Sequence, residues 1–224
     1  MKTTLSVIFV FVIHFAFAQY ITLSKAIKIS DNKDKFFYQV TDTIDAQYLG
    51  EVEVQGFSSD DAAVFSQVYQ KAKTIGANSF SIKKEERIDG GDKAFNPSHY
   101  YINLYYTSDF HYQDHNKVYI FSSSHKGTKF RLKDESITLP SRTYYQFQLQ
   151  PGEEYPLATG GFLGSRIRLA YKEAQPAQYF LLKGAGFRGD GAGAGMLNLK
   201  SGDIIVLEKS YAQFLAAIYQ SKDN

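Results

Sequence analysis

The stretch from Tyr48 to Ile82 constrains this chain more than any other, because strand, helix and strand signals follow one another there without a break. Tyr48 to Val54 alternates, with Leu49, Val52 and Val54 set among small and acidic residues, and Gly56 follows as a turn. Phe65, Val68, Tyr69, Ala72 and Ile75 then recur at three-and-four spacing, with Gln67, Gln70, Lys71 and Lys73 on the other side. That is the pattern of a helix with one face to bury. Ser58 is the expected N-cap, Asp61 the capping-box acid three residues on, and Asp60 and Asp61 both sit at the positive end of the helix dipole. Gly76 ends the helix in the left-handed position, and Ser79 to Ile82 resumes as strand. One βαβ unit is the expectation.

What precedes this unit reads as an export leader. Lys2, an apolar run from Leu5 to Phe17 and the triplet Ala16-Phe17-Ala18 predict a signal peptide over residues 1–18, with the mature chain starting at Gln19. The run is shorter than the roughly twenty residues of a spanning helix and contains His14, so no transmembrane span is expected after cleavage. Exported chains commonly staple themselves with disulfides, yet this one has 0 cysteines. It can carry neither a disulfide nor a lipid on a cysteine, and must hold itself by packing, for which a hydrophobic content of 44% is ample. A formal net charge of +2 argues against nucleic acid or an anionic membrane as a bulk electrostatic partner.

Further along, Phe36, Phe37, Tyr38 and Val40 suggest a strand before the unit, and Tyr100 to Tyr106 another after a charged loop over residues 83–98. The polar run DFHYQDHNK, Asp109 to Lys117, is the expected boundary. Acidic residues outnumber basic ones in residues 19–110, and the reverse holds in 111–224. Beyond the boundary come short strands: Val118–Phe121, Lys129–Leu132, Tyr144–Leu149, Tyr155–Ala158, Arg166–Ala170, Gln178–Leu182 and Asp203–Leu207. Turns at Pro140, Pro151-Gly152, Gly160-Gly161 and Pro176 give them the rhythm of an antiparallel sandwich. A closing helix, capped by Ser210 and striped by Tyr211, Phe214, Leu215, Ile218 and Tyr219, is expected to dock on that sandwich. The predicted class is therefore α+β. A signal peptide (1–18), a βαβ-containing domain (19–110), a linker (111–117) and a β-sandwich with a C-terminal helix (118–224) make up the chain.

The sequence Leu49-Gly50-Glu51-Val52, the alanine-bearing helix, Lys71-Ala72 and Gly76-Ala77-Asn78 together resemble the small βαβ domains of bacterial envelope proteins. These are the YbjQ-like proteins and the Rcs-type outer-membrane stress-sensor lipoproteins. The resemblance implies a sensor or assembly component rather than an enzyme. It departs from the Rcs-type pattern in lacking disulfides and a lipid anchor, and from YbjQ-like metal binding in lacking cysteine. Residues Lys117–Phe121, Leu149-Gln-Pro-Gly152 and Tyr179–Leu182 are similar to a β-sandwich domain of unknown function found in bacterial lipoproteins.

Candidate chemistry is sparse. Gly184, Gly186 and Gly189 match a dinucleotide-loop spacing, but Gly191, Gly193 and Gly195 follow, and no helix opens on a glycine at every second place. The pyrophosphate would meet no helix N-terminus, so a hairpin tip is the better reading. Arg188-Gly189-Asp190 spells an adhesion tripeptide, short enough for coincidence. His111 and His115 with Asp114 between them are the candidate metal ligands, joined by His99 or His125 if the loops converge. Gly164-Ser165 lacks a nucleophile elbow. Lys129, Arg131 and Lys133 alternate with Phe130 and Leu132, and Arg166 and Arg168 with Ile167 and Leu169. Two solvated strand faces account for them; acidic polysaccharide or lipid head groups are the partners they would suit.

The reading that follows is an exported, non-enzymatic binding or interaction module of the bacterial cell envelope, in periplasm or medium, contacting an envelope protein or surface glycan. No cofactor and no nucleic acid are expected. The alternative is a metal-binding protein or metal-dependent hydrolase using His111, Asp114 and His115.

Overall fold

The computed structural model describes residues 19–84, 94–108, 114–160, 164–183, 196–197 and 204–222. The expected leader, His111 and the glycine-rich loop over 184–195 lie outside the described residues.

The organising stretch folds as β3 (Gln47–Gln55), α1 (Asp61–Thr74) and β4 (Ser79–Ile82), flanked by β1 (Tyr20–Ala26), β2 (Tyr38–Gln39) and β5 (His99–Tyr106). The sheet order is β1-β3-β5-β4-β2, so β5 is inserted antiparallel between the two strands of the expected βαβ unit. The unit is a split one. Val52, Val54, Ile102, Leu104 and Phe80 cover one face of the sheet and are fully buried against Val68 and Ala72 of α1. Asp60, not Ser58, caps α1: its side chain accepts from the Ala63 amide at 2.9 Å. Ser58 sits two residues outside, accepting from the Asp60 amide. That frees Asp61 for another task. At the far end Gly76 takes φ +75°, and a side chain there would collide with the Ser30 carbonyl.

The second half contains β6 (Lys117–Phe121), β7 (Thr128–Leu132), β8 (Glu135–Leu139), β9 (Thr143–Gln148), β10 (Glu154–Thr159), β11 (Arg166–Ala170), β12 (Gln178–Leu182), β13 (Met196–Leu197), β14 (Ile204–Leu207), α2 (Lys209–Ile218) and β15 (Gln220–Lys222). They form a four-stranded sheet, β11-β10-β7-β8, and a six-stranded sheet, β13-β14-β12-β6-β9-β15. The six-stranded sheet is mixed, with β12 parallel to β6 and β15 parallel to β9. Otherwise the pairings of the sandwich are antiparallel.

Alternation along the central strands shows how the layers stack. Val118 and Ile120 of β6, Phe180 and Leu182 of β12 and Ile204 of β14 point to the core shared with Phe130, Leu139 and Leu157 of the four-stranded sheet. Their neighbours Tyr119, Phe121, Tyr179, Ile205 and Leu207 belong to the other core, with α1 and α2. Both faces of the central strands β6, β12 and β14 are therefore buried, which is why they read as unbroken apolar runs.

Helix α2, expected on the sandwich, is shared by both halves. Phe214 lies 5.5 Å from Phe65 of α1 and 6.2 Å from Phe80 of β4, ring centre to ring centre, while Tyr219 just beyond the helix lies 6.3 Å from Phe121 of β6. Ser210, expected as the cap, instead accepts from the Phe37 amide, and Glu208 caps the helix through the Tyr211 amide. Each such buried aromatic contributes about 2–3 kcal/mol of hydrophobic free energy, so α2 helps hold the two halves together.

Candidate functional site

Of the candidate metal ligands, Asp114 and His115 sit where the chain enters β6. The Asp114 carboxylate is engaged: Tyr119 donates its hydroxyl to Oδ2 at 2.9 Å, and the Lys117 ammonium lies 3.9 Å from Oδ1. His115 forms a backbone bridge with Pro176, and its carbonyl accepts from Gln148 at 2.8 Å. Asn116 beside it is buried, its side chain bonded to both the amide and the carbonyl of Lys172. Residues 114–116 thus belong to the sandwich's hydrogen-bond network, with Asn116 turning the chain into β6 at φ +55°. His99 stands on β5, 2.8 Å from Glu53, and His125 is exposed between β6 and β7. Among the described residues no group of three His, Cys, Asp or Glu is arranged to hold a metal.

The most buried charged cluster was not legible as a site. Asp61 accepts from Arg142 at 2.6 Å through one carboxylate oxygen and from the Tyr219 hydroxyl at 2.7 Å through the other. Arg142 also donates to the Ser58 carbonyl, packs under the rings of Phe57 and Tyr219, and adopts φ +55° in the turn between β8 and β9. Burial pushes the Asp61 carboxyl above its usual range, opposed by the Tyr219 hydroxyl and the Arg142 charge. Burial likewise raises Tyr219, Tyr100 and Tyr211 well above an ordinary phenol. With the Asp61 side chain 5% exposed, this is a brace among α1, α2 and the sandwich rather than a place for substrate. Two consecutive acids at a helix start, where one caps, were the signal that the second had a partner elsewhere.

On the outward face of the five-stranded sheet two carboxylates are also matched. Lys83 approaches Glu51 to 2.7 Å and Lys25 to 3.8 Å. Glu53 accepts from Gln55, Tyr101 and His99, and these hydrogen bonds hold its carboxyl below the usual range. With all three donors on one oxygen of Glu53, it is tied down as an acceptor and is not poised as a base.

Exposed basic side chains collect on the four-stranded sheet. Strand β10 runs between β7 and β11, and Ala158 pairs with Arg131 on one side and Arg166 on the other. Lys129, Arg131, Arg166 and Arg168 consequently share one outward face, and all are exposed. Adjacent strands lie about 4.8 Å apart, so the Arg131 and Arg166 backbones are separated by about 10 Å. Lys133, expected with them, leaves the face: it enters the β7–β8 turn at φ +52°, pairs with Glu153 at 2.6 Å and covers the Tyr155 ring. The two alternations were readable in sequence, but not that β10 would bring them side by side.

Comparison with family models, with curated proteins and with solved structures gives no match for this chain.

Proposed function

We propose that the chain is an exported, non-enzymatic binding module of the bacterial cell envelope that holds a protein or surface glycan. The observation carrying this reading is the gathering of four exposed cations on one open sheet face, while Asp61, Glu51 and Glu53 are each committed to protein partners. Chemistry on a substrate needs polar groups converging in a protected place with freedom to act. A flat charged face suits contact with a partner. The likeness of residues 48–82 to envelope sensors and assembly components supports the same reading, as does the leader-like start of the chain. Among the described residues no helix is long and apolar enough to cross a membrane.

Fractionation of cells expressing the full chain, followed by co-sedimentation of the purified protein with isolated envelopes, tests it. Recovery in the exported fraction and saturable sedimentation are expected. Retention in the cytoplasm with intact Met1, or no sedimentation above that of an unrelated protein, overturns it.

A further inference from the structure

We propose that the outer face of the four-stranded sheet docks an anionic polysaccharide, its acidic groups held in two rows, Lys129 and Arg131 on one side and Arg166 and Arg168 on the other. The inference rests on the binding-module reading and names its partner.

Between the rows lie Ala158 and Pro156, the outward residues of β10, which pair with Arg166 and Arg168. Neither side chain can accept a hydrogen bond or neutralise a charge, and both are too short to screen one row from the other. The result is a shallow trough floored by carbon and walled by cations. Among the described residues its one carboxylate is Glu154, which reaches Arg168 at only 3.7 Å; the two side chains are 68% and 76% exposed, a pairing of little strength. Four cations against one carboxylate on so small an area repel one another, and an external polyanion relieves that repulsion.

The geometry favours a polysaccharide. Along each strand the cations are roughly 7 Å apart and across the trough about 10 Å, a two-row spacing that follows an extended polymer running along β10. Arginine forks take carboxylate or sulfate groups with two parallel hydrogen bonds. Ser136 and Thr138 of β8, opposite Arg131 and Lys129 in the ladder, present exposed hydroxyls beside them for sugar hydroxyls. A bilayer surface fits less well: no large apolar residue occupies the outward positions of these strands, and each cation near anionic lipid contributes only about 1 kcal/mol. Single-stranded nucleic acid asks for aromatic stacking platforms, whereas Phe130 and Tyr155 point into the core.

Affinity electrophoresis and calorimetry of the purified protein with polygalacturonate test the proposal, with dextran, phosphatidylglycerol vesicles and single-stranded DNA as the other arms. Polygalacturonate should retard the protein and dextran should not, and added salt should weaken the binding. Replacing two charge-assisted contacts in R131Q/R166Q should reduce affinity at least about tenfold. R131K/R166K, which keeps charge but loses the fork, should fall between, and Lys71→Gln on α1 should bind like wild type. Absence of retardation, or an R131Q/R166Q variant that binds as wild type and melts normally, overturns the assignment. So does equal or tighter binding to the vesicles or DNA. If polygalacturonate fails while envelopes still sediment the protein, the glycan is wrong and the module stands; if both fail, both readings go.

Discussion

Arg142 Nη2 lies 2.6 Å from Asp61 Oδ1, an ion pair between residues separated by 81 positions in the chain. It ties the first turn of α1 to the β8–β9 turn, with Tyr219 closing the third side. Removing one member of a buried pair leaves the other uncompensated, so Asp61→Asn should destabilise by about 3 kcal/mol, and Tyr219→Phe by about 1 kcal/mol. Urea unfolding measures both. An Asp61→Asn protein as stable as wild type would remove the brace from this account.

The Glu53 cluster sets a pH dependence. Hydrogen bonds from Gln55, His99 and Tyr101 lower its carboxyl pKa in the folded protein. The unfolded state therefore binds the proton more readily, and stability rises with pH through that window. The contribution is complete above the ordinary carboxylate range and is lost as pH falls through it and below. Denaturation midpoints of wild type and Glu53→Gln should differ at pH 7 and converge under acid. A constant gap down to low pH would contradict this.

The shared core predicts that damage to α1 is felt on both sides. Phe65 is buried against Tyr69, Tyr211 and Phe214. Phe65→Ala should cost about 3–4 kcal/mol, read as a single lowered thermal transition monitored by tyrosine signals from both halves. Two separated transitions would show that the halves melt alone.

Gly76→Val should destabilise by at least about 1–2 kcal/mol, because it combines a left-handed backbone with a collision at the Ser30 carbonyl. A melting point unchanged by this substitution would mean that the helix ends elsewhere.

For the metal alternative, elemental analysis of the purified protein should find no stoichiometric zinc, copper or iron. Changing both His111 and His115 to Ala should leave envelope binding intact. One tightly held metal per chain, lost in that variant, would favour the hydrolase or metal-binding reading.

Where a residue's role was set by its near neighbours, the sequence was readable. The stripe of Phe65, Val68, Ala72 and Ile75 located α1, the alternations located β7 and β11, and the turn rhythm located β10. Strand β8 was missed because Lys133 supplies the left-handed turn residue where a glycine would have signalled the hairpin. Strand β1 was missed because only Ile21 and Leu23 mark its inner face. The insertion of β5 inside the βαβ unit, the Asp61–Arg142 pair and the meeting of two basic strands across Ala158 depend on pairings that no local pattern encodes.

Burial of β6, β12 and β14 on both faces has a consequence for how the chain is made. Everything that seals α1 from water on that side, from Tyr119 to Tyr219, is synthesised after it. A ribosome delivers the N-terminal layer first, so Phe65 and its neighbours wait uncovered until the last turn of α2 has emerged. Through that interval the nascent chain exposes apolar surface of the kind that invites aggregation.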